Sequence, residues 1–175
     1  MIRIDWEDLA REVGSLSEQG EVGGTAYARR ALIAILGDSE ILSAVQVFIG
    51  AGPGSELVRN VLMFLKPRGA MEECFRIFRE SQHAQERHLA MALLASIADR
   101  SAVRWLDEFL DDSDAVVQSW AARLLFELIL EGEVEEAEVE EWVTKSERHP
   151  NHVVQEIAQQ IREEYRTRRE ALNQK

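Results

Sequence analysis

Apolar residues recur at intervals of three and four along almost the whole chain, the spacing that places them on one face of an α-helix. No segment shows the alternation of apolar and polar residues that is typical of a β-strand. Short groups of Gly, Pro, Asp and Ser separate the apolar segments from one another. The pattern therefore predicts an all-α fold.

The first helix is predicted to begin at Trp6, after Asp5 as its N-terminal cap, and to end near Gln19. The helices that follow are predicted to come in pairs joined by short loops. These pairs are 27–36 with 40–49, 56–65 with 71–80, 84–98 with 102–110, and 115–130 with 135–146. A last helix is predicted over residues 152–172.

The first helices of these pairs, together with the last helix, align over eight residues. The second aligned position falls at Arg29, Arg59, Arg87, Gln118 and Gln155, in steps of 30, 28, 31 and 37 residues. A repeat of this length, built from two helices, is typical of a stacked helical solenoid.

The clearest copy, residues 111–125, has an Asp followed by Val-Gln-x-x-Ala-x-x-x-Leu. It resembles the HEAT repeats of the short bacterial type, which also occur in phycobilisome-lyase HEAT-like proteins. It departs from their pattern in having Gln118 where Arg is usual and Trp120 beside the small residues. The resemblance covers about residues 26–170 and implies a right-handed α-solenoid of about four to five HEAT-like helix pairs with capping terminal helices.

The length of the chain is that of one ordinary domain. We therefore predict a single HEAT-like α-solenoid domain over residues 1–175. Its N-terminal cap helix and its repeats are expected at residues 5–19, 26–50, 54–81, 83–111, 114–147 and 151–172.

The net charge of −12 is confined to one part of the chain. Residues 107–141 contain thirteen acids and a single base, Arg123, whereas the rest of the chain holds nineteen of each. Such a stretch repels nucleic-acid phosphates and anionic membranes, but it attracts a basic protein. We expect a basic protein partner, no nucleic acid and no membrane. The alternative is that these acids form only a solvated surface.

The resemblance implies that the second helices of the pairs line the concave, partner-binding surface. A helical wheel of these segments gives the candidate partner-binding residues Phe75, Arg76, Arg79, Arg104, Trp105, Asp107, Glu108, Asp111, Glu136, Glu140 and Glu141. Phe75 and Trp105 are the aromatic candidates at the edge of this surface, although Trp105 alternatively packs against the neighbouring repeat. The other tryptophans lie on apolar stripes and are expected in the core: Trp6, Trp120 and Trp142.

The chain offers little for catalysis. Cys74 lies on an apolar stripe, which predicts a buried structural thiol. His149 and His152 are separated by Pro150 and Asn151, and no third ligand follows at a suitable spacing. The phosphate-loop, nucleophile-elbow and dinucleotide motifs do not occur in the sequence. We expect no catalytic residue, no metal and no cofactor.

A small acidic protein of this kind is similar to many bacterial immunity proteins, which neutralise a toxin, such as a nuclease, by covering its active site. We predict a non-enzymatic protein–protein interaction module that binds a basic partner, and that is a monomer when free. One cysteine and an N-terminus without an apolar signal core favour the cytoplasm. The alternatives are a structural or regulatory HEAT adaptor in a larger assembly, which would favour an exposed apolar end, and a lyase-like HEAT protein acting on a tetrapyrrole.

Overall fold

The computed structural model describes residues 4–173, so both ends of the predicted domain 1–175 lie outside the described residues. The described residues form ten α-helices, one 3₁₀ helix and one hairpin, and the all-α prediction is confirmed. The helices are α1 Trp6–Glu12, α2 Thr25–Leu36, α3 Asp38–Ile49, α4 Ser55–Leu65, α5 Arg68–Glu80, α6 Ala84–Ile97, α7 Leu106–Leu110, α8 Ala115–Leu130, α9 Glu136–Glu147 and α10 His152–Asn173. The 3₁₀ helix is Arg100–Trp105, and the strands are β1 Leu16–Ser17 and β2 Gly20–Glu21.

Aspartates cap two of the helices where the sequence places them. The Asp5 carboxylate accepts hydrogen bonds from the backbone N–H groups of Glu7 and Asp8, at 3.1 and 3.2 Å, as predicted for α1. Asp114 accepts a bond of 2.8 Å from the N–H of Val116 at the start of α8. Each cap satisfies backbone donors that a helix leaves unpaired at its first turn.

The predicted extent of the first helix is wrong, because the helix ends at Glu12 and not near Gln19. Gly14 follows with a φ of 76°, a left-handed conformation that glycine adopts without strain. The chain then forms the antiparallel hairpin of β1 and β2. A hydrogen bond of 2.6 Å from Ser15 Oγ to the carbonyl of Val22 closes the hairpin.

The predicted helix over residues 102–110 begins as a 3₁₀ helix and becomes α-helical only at Leu106. A 3₁₀ helix has about three residues per turn, so residues three apart share a face. Ala102 and Trp105 are therefore buried together, while Val103 is only half-buried. The α-helical wheel placed Trp105 on the flank because it assumed the wrong helical period.

The chain divides into two compact units, Met1–Glu73 and Cys74–Lys175, with the division inside α5. In unit 1, the helices α2, α3 and α4 pack against one another. The buried side chains of α3 and α4 are Ile41, Val45, Phe48, Leu62 and Leu65. None of the twelve residues of α2, all of them described, is fully buried.

In unit 2, α6 packs against α8, and α8 packs in turn against α10. Helix α7 contacts α8 and α9, and α9 packs along α10. The apolar faces of these helices form the core of the unit, in which the largest fully buried side chains include Phe109, Leu93, Leu94, Leu124 and Leu125.

Three aligned positions of unit 2 make the same kind of contact. Arg87 donates a hydrogen bond of 3.1 Å to the carbonyl of Phe78, which lies in the preceding helix. Gln118 donates to the carbonyl of Asp112, and Gln155 to that of His149, both at 2.6 Å. Each side chain therefore ties the start of its helix to the chain segment just before it.

No single helix of the described region combines the length and the apolar composition that are needed to cross a membrane. The two helices α2 and α3 meet those requirements only when they are taken together, and they are bent by 90° at their junction.

Replacement of a core leucine tests this packing. Leu124 is completely buried in α8, so Leu124→Ala should lower the free energy of unfolding by about 2–5 kcal/mol, the cost of lost apolar burial and a cavity. Leu57 is 68% exposed, and the matched change Leu57→Ala should remain within about 0.5 kcal/mol. Denaturant unfolding followed by circular dichroism measures both. Equal losses of unfolding free energy in the two variants would show that Leu124 is not buried more deeply than Leu57.

Candidate protein-binding surface

Ion pairs join the second helices α5, α7 and α9 across one surface of unit 2. Arg79 Nε on α5 lies 2.7 Å from Glu108 Oε1 on α7. Lys145 Nζ on α9 lies 2.9 Å from Asp107 Oδ1 and 2.9 Å from the carboxylate of Asp111, both at α7. We name the surface formed by Asp107, Glu108, Asp111, Glu140 and Glu141 the acidic face.

Arg162 of α10 holds two carboxylates of α9. Its guanidinium donates two bonds to Glu140, at 2.6 and 2.7 Å, and two to Glu147, at 2.8 and 3.2 Å. These hydrogen bonds lower the pKa of both glutamates, although partial burial opposes the shift. They also raise the pKa of Arg162. Both carboxylates therefore remain ionised into the acidic range.

Lys145 also forms ion pairs with two carboxylates. Burial acts to lower the pKa of its ammonium group, but the hydrogen bonds to Asp111 and Asp107 outweigh it and raise the pKa. Lys145 is thus cationic at neutral pH and cancels only one of the two negative charges beside it. Glu141 is exposed and has no cationic partner among the described residues. The acidic face consequently keeps a negative charge after its internal pairs have formed.

The two aromatic candidates differ in exposure. Trp105 is only 7% exposed, because its ring stacks on Phe75 at 4.4 Å between centroids and lies 6.4 Å from Phe109. It therefore belongs to the core, in agreement with the alternative that this side chain packs internally. Phe75 is half-buried, and the guanidinium of Arg79 lies 5.1 Å from its ring centroid.

The other candidates contact residues outside the acidic face, and Arg76, for example, pairs with Glu80. Arg76 is exposed on α5. Glu136 is half-buried and pairs with Arg169 of α10. Arg104 lies 4.6 Å from the ring centroid of Trp105. It also lines an open cleft of about 600 Å³ together with Asp99, Arg100, Ser101 and Glu133.

Sequence reasoning missed the bases that pair with the acidic stretch. At least nine of its thirteen acids have a basic partner, and only Arg123 lies within the stretch itself. Asp112, for example, pairs with Arg87 at 2.5 Å, and Asp114 pairs with His88 at 2.7 Å. The bases lie on α5, α6, α9 and α10 and in the 3₁₀ helix, mostly far along the chain from the acids with which they pair. No short-range signal in the sequence indicates these pairs.

The candidate metal ligands His149 and His152 and the candidate nucleophile Cys74 differ in their surroundings. Both ring nitrogens of buried His149 are engaged, Nε2 with the carbonyl of Leu110 at 3.0 Å and Nδ1 with the N–H of Asn151 at 3.1 Å. His152 is exposed, and Cys74 is buried. Within residues 4–173, no group of three His, Cys, Asp or Glu side chains is arranged to hold a metal ion.

Neither family models, nor curated proteins, nor solved structures yield a match to this chain. Its function is therefore inferred from its own residues. Exposed carboxylates on α7 and α9 suit the binding of a cationic surface.

The Arg162 contacts predict a specific pH dependence. The folded-state pKa values of Glu140 and Glu147 lie below the ordinary value of 4.5, so their pairs stabilise the fold above that pH and lose this effect as the pH falls through the lowered values. Arg162→Met should raise both pKa values towards 4.5 and flatten the loss of stability on acidification. Carboxyl NMR titration measures the pKa values directly.

Arg166 provides the matched control, because it pairs with Glu163 at 2.8 Å on the exposed side of α10. Arg166→Met should leave the titrations of Glu140 and Glu147 unchanged. Unaltered titration of those glutamates in Arg162→Met would show that the Arg162 contacts do not form in solution.

Proposed function

We propose that this chain is a non-enzymatic protein–protein interaction module that binds a basic partner protein through its acidic face. One observation carries the proposal: Lys145 and Arg162 are each shared between two carboxylates, so the surface keeps an excess of negative charge. A basic surface would be steered towards this excess over long range and oriented by it at contact.

The carboxylates also retain capacity for direct contacts. The side chains of Asp107 and Asp111 are 68% and 66% exposed, although both pair with Lys145. An ionised carboxylate offers about four acceptor positions, so one ammonium group leaves most of them open. Lysine and arginine side chains of a partner would add to Asp107, Asp111 and Glu141 without breaking the internal pairs.

We further propose that the helix pairs are HEAT-like and form a right-handed α-solenoid with the acidic face on its concave side. The hydrogen bonds of Arg87, Gln118 and Gln155 support this architecture. Each of these aligned side chains donates to a backbone carbonyl that precedes its own helix. The serial packing of α6, α8 and α10 supports it as well, since each repeat of a solenoid contacts mainly its neighbours.

A toxin such as a nuclease fits the proposed partner. Nucleases bind phosphates through lysine and arginine, and spaced carboxylates on a rigid helical surface could cover such a site. The chain would then act as a bacterial immunity protein, monomeric when free and located in the cytoplasm.

An adaptor in a larger assembly is the second candidate. It is favoured by the exposed apolar side chains of unit 1, which include Leu57, Phe64 and Leu32. An adaptor would use this surface as well as the acidic face, whereas simple capture of a basic partner needs the acidic face alone.

Removal of four charges from the acidic face should weaken partner binding by at least about tenfold. The test variant combines Asp107→Asn, Asp111→Asn, Glu140→Gln and Glu141→Gln, which keep the size of each side chain. The control variant removes four exposed acids of unit 1 that have no basic partner among the described residues, in Glu12→Gln, Glu18→Gln, Glu21→Gln and Glu40→Gln. Both variants change the net charge equally and should keep the helical circular dichroism.

Affinity capture from the native host, at about 50 and about 500 mM salt, identifies the partner, and titration calorimetry with the purified partner gives each Kd. A basic protein should bind the wild type and the control at low salt, with at least about tenfold weaker binding to the test variant. Native affinity of the test variant would contradict the proposal. Nuclease activity of the partner, suppressed on binding, would support the immunity role.

A further inference from the structure

Unit 1 carries an apolar surface on two adjacent helices. Leu57, Val61 and Phe64 of α4 are 68%, 41% and 51% exposed, and their spacing places them on one side of the helix. Leu32 and Leu36 of α2 are 42% and 41% exposed and also share one side. We name these five side chains the apolar face. Contiguous exposed apolar surface of this kind marks an interaction site in soluble proteins.

Arg29 joins the two halves of the apolar face. It lies three residues before Leu32 and seven before Leu36, on the same side of α2. Its guanidinium carbon is 5.4 Å from the ring centroid of Phe64 on α4, a cation–π contact. Its Nε atom is buried without a hydrogen-bond partner.

No carboxylate within the described residues pairs with Arg29, and the sequence of α2 contains no acid. The nearest acid along α4, Glu56, is engaged by Arg59 at 2.8 Å. A carboxylate on the ligand would form an ion pair with a cation in the middle of an apolar surface. This ion pair would strengthen binding, since both groups are removed from water together. Arginine beside an aromatic ring is also the composition of an interface hot spot.

The charge of Arg29 distinguishes the possible occupants of the apolar face. A second copy that docks with its two-fold axis through the middle of the apolar face would bring the two Arg29 side chains together, which like-charge repulsion opposes. An anionic membrane would repel a chain of net charge −12. We propose that the apolar face binds an amphipathic helix of another protein, which presents apolar side chains to Leu32, Leu57 and Phe64 and a carboxylate to Arg29.

This inference goes beyond the proposed function, because it concerns the other unit and a ligand of the opposite charge. The test uses the full chain and a phage-displayed library of helical peptides. Peptides are selected in parallel on the wild type, on Arg29→Glu and on the double variant Leu57→Ser with Phe64→Ser. Both positions of the double variant are exposed, so the fold should persist, as circular dichroism checks.

Wild-type selection should enrich peptides with apolar residues at helical spacing and an Asp or Glu among them. Arg29→Glu should reverse that preference to Lys or Arg, and the double variant should enrich nothing above background. A selected acidic peptide should bind Arg29→Glu at least about tenfold more weakly than the wild type by fluorescence anisotropy. Arg166→Glu, a matched charge change in unit 2, should not alter its affinity.

Several outcomes would overturn the inference. In the first two, the wild type enriches no more peptides than the double variant does, or selection does not change with the charge at position 29. In the third, the wild type self-associates in a way that the double variant does not. In the last, the wild type floats with phosphatidylserine vesicles through Leu57 and Phe64. The variant lacking four charges on the acidic face should bind the selected peptide normally, so failure of one proposal is distinguishable from failure of the other.

Discussion

Two cations, each shared between two carboxylates, determine how unit 2 carries its negative charge. Lys145 connects α9 to Asp107 and Asp111 of the α7 region, and Arg162 connects α10 to Glu140 and Glu147 of α9. The same contacts therefore link neighbouring helices and leave charge uncompensated on the surface. If each carboxylate had its own cation, the helices would still be joined, but the surface would carry no net negative charge to attract a basic partner.

The two units present chemically different surfaces. The acidic face of unit 2 consists of ionised, partly paired carboxylates, which suit long-range attraction and adaptable polar contacts. The apolar face of unit 1 surrounds Arg29 with exposed leucine, valine and phenylalanine, a composition suited to short-range, desolvated binding. The two proposals together give the chain two binding surfaces for ligands of different chemistry.

The elements that depend on local sequence were predictable. The cap at Asp5 and the predicted start of the α8 helix at Ala115 agree with the structure, because capping and apolar periodicity act over a few residues. The hairpin after Gly14 was missed, and the burial of Trp105 was expected only as the alternative to a place at the edge of the binding surface. The hairpin contains two glycines with positive φ angles, Gly14 and Gly20. The burial of Trp105 follows a switch from 3₁₀ to α geometry that changes which residues share a face.

The candidate site was predictable only in part. The wheel identified the carboxylates of α7 and α9, but it could not assign partners such as Lys145 for Asp107, 38 residues away. Trp6, expected in the core, is 66% exposed, because an apolar stripe shows which side of a helix is buried only if another element packs against it. For the same reason, periodicity alone could not show that α2 and α4 leave their apolar sides uncovered.

The acidic face should remain electronegative after its internal ion pairs have formed. Paramagnetic relaxation of the protein's protons by a cationic and an anionic nitroxide of equal shape measures this local potential without any knowledge of the partner. Protons of α7 and α9 should relax faster with the cationic probe, and protons around Arg29 should relax faster with the anionic probe. Equal relaxation by both probes at α7 and α9 would show that the acids are fully neutralised within the fold and that no excess of negative charge remains there.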